Sequence, residues 1–142
     1  MISLEIINTK NFMTKLFKEE AFDSFAMVSL EIMSFASFEI KQKQETVLWK
    51  ELRPFAFQII KSGTTPKFIK LVFSLTKEAS EAIKADTNFF LNIYYTSGED
   101  GQLVATTGTS MKTFSLDKSG DHFWEDEVKK FFREHQLDYH DE

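Results

Sequence analysis

The run VATTGTSMKTF, residues 104–114, sets a glycine among four hydroxyls with a lysine four residues on. These side-chain types can cradle a phosphate. A phosphate-binding loop of the Walker kind, however, needs several glycines around a Lys-Ser/Thr pair, with the lysine opening a helix whose N-terminal amides face the anion. Here Gly108 is alone, and the stretch holding Lys112 reads as a strand with no helix before Asp117. The run is therefore read as a turn between two strands, with Gly108 supplying the bend and Thr106, Thr107, Thr109 and Ser110 satisfying the turn backbone.

The histidines are His122, His135 and His140. His135, Asp138, His140 and Asp141 are close in sequence, and imidazole with carboxylate is a zinc or nickel donor set. Such a site needs its ligands held by a second layer of contacts. The segment after Tyr139 is polar and expected to fray, so no metal is assigned. His122 with Glu125 or Asp126 has the makings of a proton-transfer pair. It also fits the plain first turn of a helix capped by Asp121, with acids facing the positive end of the dipole. No catalytic residue and no cofactor follow from these patterns.

Trp49, Arg53 and Phe55, in LWKELRPF, are candidates for binding a protein partner, because Trp and Arg dominate interface energetics. The competing reading has Trp49 and Leu52 plugging a sheet edge while Arg53 pairs with an acid.

The elements that must position these side chains follow from periodicity. Residues 2–7 alternate as a strand, and Phe12, Leu16 and Phe17 then recur at helical spacing behind Asn8 or Thr9 as N-cap. Residues 27–40 predict two strands with a tight turn or bulge near Ser34–Ser37. Residues 41–54 read as a loop with a helical turn, since Pro54 removes a backbone donor. FAFQIIK and KFIKLVFSL are then strands of a hairpin closed by SGTTP. The alternative is a helix through Trp49, Leu52, Phe55 and Ile59 with Pro54 inside it. Thr76 caps a short helix with Ala79 and Ile83 inward. NFFLNIYY and QLVATT bracket a hairpin turn in which Asp100-Gly101 suits positive φ, and MKTFSL adds a last strand. Trp124, Val128, Phe131 and Phe132 form the apolar stripe of a final helix.

The order is strand, helix, four strands, helix, three strands, helix, which predicts an α+β fold of mostly antiparallel sheet with two or three helices on one side. With 142 residues, sixteen phenylalanines, five glycines and two prolines, residues 1–142 are expected to form one domain burying about two-thirds of its extended surface. Within it, 1–116 is the α+β unit, 119–136 the amphipathic helix and 137–142 a polar tail. The net charge of −5 weighs against a surface built for nucleic acid or anionic lipid. The absence of cysteine removes disulfides and thiolate chemistry. With no stretch of about twenty apolar residues, the expectation is a cytoplasmic protein with no membrane partner.

Through KNFMTKLF, LWKELRPFAFQIIK and TTGTSMKTFSLDKS, the chain resembles a family of short proteins from Gram-positive bacteria known only as a domain of unknown function. The resemblance implies a bacterial, cytoplasmic, stand-alone domain and carries no activity. The element order of residues 1–116 is also similar to one domain of a DNA sliding clamp. That likeness would place Lys10, Lys15 and Lys18 of the first helix toward nucleic acid. Glu19 and Glu20 oppose them, and Lys77 and Lys84 are balanced by Glu78 and Glu81 on the second helix, so charge weighs against nucleic acid as partner. The leading expectation is a non-catalytic interaction or assembly module, with a protein partner or a homo-oligomer formed through a sheet edge. The alternatives are a clamp-like nucleic-acid-associated domain and an enzyme of small metabolites without a recognisable motif.

Overall fold

Strands with alternating apolar residues need a partner layer on one face only, and four helices supply it here. The structure, a computed structural model, describes residues 1–43, 46–62, 64–111 and 116–141. In chain order the elements are β1 (Ser3–Ile6), α1 (Thr9–Phe17), β2 (Ala26–Met33), β3 (Ser37–Lys41), β4 (Val47–Leu48), α2 (Trp49–Lys61), β5 (Phe68–Ser74), α3 (Lys77–Ile83), β6 (Thr87–Thr96), β7 (Gln102–Met111), α4 (Ser119–Glu134) and β8 (Tyr139–Asp141). The strands form one antiparallel sheet in the order β3-β2-β5-β6-β7-β1-β8, with β4 pairing to the start of β2. The fold is α+β, as the alternation predicts.

Register divides the sheet into two unlike faces. Leu30, Leu71, Ile93, Ala105 and Leu4 lie side by side across five strands, all buried. The next row, Glu31, Lys70, Tyr94, Val104 and Glu5, points the other way, and none of its members is buried. The helices cover the first face. Phe12, Leu16 and Phe17 of α1, Trp49 and Ala56 of α2, and Trp124, Val128 and Phe132 of α4 join the inward strand residues in one core cluster. Aromatic rings form its centre: Phe22 stacks on Phe73 at 5.7 Å, and Phe12 meets Phe132 edge-on at 5.8 Å.

Three expectations are corrected. First, the hairpin through FAFQIIK is absent: residues 49–61 are helix α2, with Pro54 inside it. Pro54 forfeits one helical hydrogen bond, a loss of about 3 kcal/mol in a helix interior. The helix survives because it buries Trp49 and Ala56 and packs Leu52, Ile59 and Ile60 against the core. The count is therefore four helices among the described residues rather than two or three. Secondly, Gly108 is no bend. It lies within β7, opposite Phe90 of β6, and the strand runs unbroken from Gln102 to Met111. The last strand expected over 111–116 retains only Met111, as the end of β7; residues 112–115, Lys112 included, lie outside the described residues. Thirdly, the tail is paired rather than frayed as far as Asp141. Tyr139–Asp141 pair with β1, and Leu137 is buried just before them.

Local capping follows the sequence more closely. The side chain of Asn8 accepts from the Asn11 N–H at 3.0 Å to cap α1, and Thr76 caps α3. Asp121 does not cap α4; it stands in the first turn and accepts from the Thr109 hydroxyl at 2.6 Å. In the β6–β7 turn the positive φ falls on Gly98, at 105°, instead of the Asp100-Gly101 pair.

Candidate functional site

Of the three residues expected to form a binding anchor, the chain brings only one to the surface. Trp49 is 0% exposed. Its indole N–H donates to the Leu16 carbonyl at 2.9 Å, and its ring meets Phe17 and Phe73 edge-on. Arg53 points back to Asp23, donating from Nε at 2.8 Å and from Nη2 at 3.0 Å. The hydrogen bond to Asp23, opposed by partial desolvation, raises the guanidinium pKa above its ordinary value. Phe55, next to Pro54 on the outer side of α2, is 67% exposed.

Lys10 and Lys18 are exposed and Lys15 is half-buried. The Lys18 ammonium lies 5.7 Å from the centre of the Phe57 ring, with Lys61 at 5.5 Å, so α1 and α2 share this aromatic–cation contact.

The histidines serve structure or face water. His135 ends α4 with its ring 4.4 Å from Phe131, and His140 lies on β8 opposite Glu5. His122 is exposed, 3.7 Å from Glu125. Among the described residues no three His, Asp or Glu side chains gather in a metal-binding arrangement. Beside Gly108 and Thr109 there is a hollow of about 140 Å³, reached by Asp121, Trp124 and Glu125.

Two features stand out once these are placed. One is the β3 edge of the sheet. Ser37–Lys41 pair with β2 on one side and no described strand lies on the other. Phe38 and Ile40 point to the helix side and are half-buried, while Ser37, Glu39 and Lys41 are exposed. Glu39 and Lys41 form an ion pair at 2.8 Å, and the hydrogen bond and charge of Glu39 raise the Lys41 pKa. The turn before β3 carries Phe35, 65% exposed, its ring edge-on to Phe38 at 5.5 Å. That turn is tied to the segment after α2 by the Ser34 hydroxyl, which donates to the Thr64 carbonyl at 3.2 Å.

The other feature is a cleft of about 230 Å³ where the start of β2, the end of β5 and the start of β6 meet α3 and the β3–β4 connection. Its wall includes Gln42, Lys77, Ser80, Glu81, Asp86 and Asn88. The short helix was expected to turn Ala79 and Ile83 inward; Ile83 is half-buried against the core, and the fully buried residue is Ser80. Nothing in KEASEAI distinguishes that serine from a solvated one, because the cleft is assembled from segments spread over residues 26–88.

No helix among the described residues is long and apolar enough to cross a membrane. Residues 15–140 match a family described as Family of unknown function (DUF5721). No curated protein and no solved structure matches the chain.

Proposed function

The chain belongs to the DUF5721 family of unknown function, and we propose that it is a non-catalytic assembly module that pairs with a second copy of itself through β3. The observation that carries this reading is the outer edge of Ser37–Lys41, unpaired among the described residues and flanked by exposed Phe35. An open edge presents unpaired backbone donors and acceptors to an added strand.

A second copy is favoured by the charge order along the strand. A two-fold axis through Ile40 sets Glu39 of one copy opposite Lys41 of the other, twice over, with Ile40 against Ile40 on the helix side. A contact of this kind is self-complementary, as closed dimers require. The axis one residue earlier would put Glu39 against Glu39, which cross-strand repulsion opposes. The Glu39–Lys41 pair within one chain is solvent-exposed on both sides, and such pairs are worth about 0–1 kcal/mol. Exchanging it for the same pair between chains is nearly neutral, so register is selected while backbone bonds and apolar burial supply the attraction.

Sedimentation or light scattering across micromolar to millimolar protein tests this directly. The expected result is a concentration-dependent dimer that Glu39→Lys weakens at least about tenfold, equivalent to about 1.4 kcal/mol. The double change Glu39→Lys, Lys41→Glu should restore it. A wild-type chain that stays monomeric throughout, or a dimer indifferent to both variants, would remove the proposal.

A further inference from the structure

We infer that the cleft beneath α3 binds a small zwitterion of the α-amino acid class, a role separate from the β3 edge. Three observations converge there. The first is a hydroxyl with nothing to bond. Ser80 is 1% exposed, and its Oγ is the one buried side-chain polar atom without a hydrogen-bond partner among the described residues. Its backbone is fully used, with the N–H donating to Thr76 and the carbonyl accepting from Lys84. Leaving such a group unsatisfied is costly, and each instance in a native protein calls for a reason. A ligand entering the cleft supplies one.

The second observation is charge of both signs on one wall. Lys77 and Glu81 stand four residues apart on α3, both line the cleft and both are exposed. That spacing commonly forms an ion pair, yet no pair within 4.0 Å joins them among the described residues. A carboxylate beside Lys77 and an ammonium beside Glu81 would fill the gap.

The third is backbone strain at the rim. Asp86 has a φ of 60°, in the left-handed region. Non-glycine residues held there cost energy and concentrate at ligand clamps and other working sites. Size agrees with the class. A volume of about 230 Å³ equals roughly eight waters at about 30 Å³ each, enough for a small amino acid. It falls below the span typical of drug-sized ligands, about 300–1,000 Å³. Among the described residues the cleft offers amide groups from Gln42 and Asn88 but no aromatic side chain on which a sugar or base could stack.

Calorimetry and thermal unfolding of the full chain with each proteinogenic L-amino acid at about 5 mM test the site. The probes of one charge sign are putrescine, which carries two ammonium groups and no carboxylate, and propionate, which carries a carboxylate only. The expected result is that at least one amino acid raises Tm, by about 4 °C when present at ten times its Kd, while neither probe of one charge sign does. Lys77→Met and Glu81→Gln, both at exposed positions, should leave the fold intact and each weaken that amino acid at least about tenfold. Ser80→Ala should weaken it by a smaller factor. The inference is overturned if no amino acid produces heat or a Tm shift, if putrescine or propionate binds as well as the amino acid, or if both charge variants bind unchanged.

Discussion

Arg53 holds the carboxylate of Asp23 in a two-pronged grip, Nε to Oδ1 at 2.8 Å and Nη2 to Oδ2 at 3.0 Å, across thirty residues of chain. The pair fastens α2 to the segment between α1 and β2, with side chains only 18% and 12% exposed. A fork of this kind is specific to arginine, because lysine offers a point charge where the carboxylate expects two parallel donors. We expect Arg53→Ala to lower stability by about 2 kcal/mol and Arg53→Lys by about 1 kcal/mol. Urea unfolding would measure both. Equal losses for the two variants would show that the forked geometry contributes nothing.

The glycines of the β6–β7 hairpin should respond oppositely to alanine. At Gly101 an added Cβ would lie 2.7 Å from the Thr96 carbonyl oxygen and 2.9 Å from that of Gly98, both backbone atoms with little room to move. At Gly108 the nearest atoms are 3.7 Å and 3.9 Å away, which is ordinary contact. Gly101→Ala is expected to cost about 1–3 kcal/mol by overpacking the turn. Gly108→Ala should be neutral or stabilising by about 0.5–1 kcal/mol, since glycine weakens a strand interior. Thermal unfolding of the two variants side by side separates them.

Acid should act through Asp117. Its carboxyl is held down at about 2, against an ordinary 3.8, first by the backbone N–H of Ser119, then by the Ser119 hydroxyl, then by Lys84. The Ser119 N–H lies 2.9 Å from Oδ1, and the Lys84 ammonium 3.2 Å from Oδ2. Because the folded value is the lower one, the ionised carboxylate favours the folded state. That contribution is complete above about 3.8 and is lost as pH falls from there through about 2. A side-chain carboxyl NMR titration should place the midpoint near the lower value. Stability of Asp117→Asn should fall less steeply than wild type between those pH values, and parallel curves would count against this role.

How far residues could be read before folding depends on what each signal competes with. In α4, Trp124, Val128 and Phe132 repeat at fourfold spacing with nothing to contradict them, and all three are buried. In α2 a helical spacing links Trp49, Leu52 and Ile59, but Pro54 argues against a helix, and tertiary burial of Trp49 outweighs it. In β7 the inward residues are Leu103, Ala105 and Thr107. Small and hydroxylated side chains there read as a turn, although their period of two is that of a strand. The β3 edge could be anticipated in kind, because alternation marks the strand; that it lies outermost depends on pairings of β2 with β5, far along the chain. The cleft was hidden altogether, since Ser80 acquires its environment only when β2, β5 and β6 come together around α3.

The pairing of β1 has a consequence for synthesis. Ser3 lies opposite Thr106, and Ile6 opposite Tyr139, so the first of these strands to be made finds both its neighbours among the last of them. At about 5–20 residues per second, roughly 5–20 s separate the emergence of Ser3 from that of Thr106. Throughout that interval Leu4 and Ile6, which end in the core, have no native strand to join. The pace of the ribosome, more than the strength of the finished sheet, sets how long this segment is open to chaperones or to mispairing.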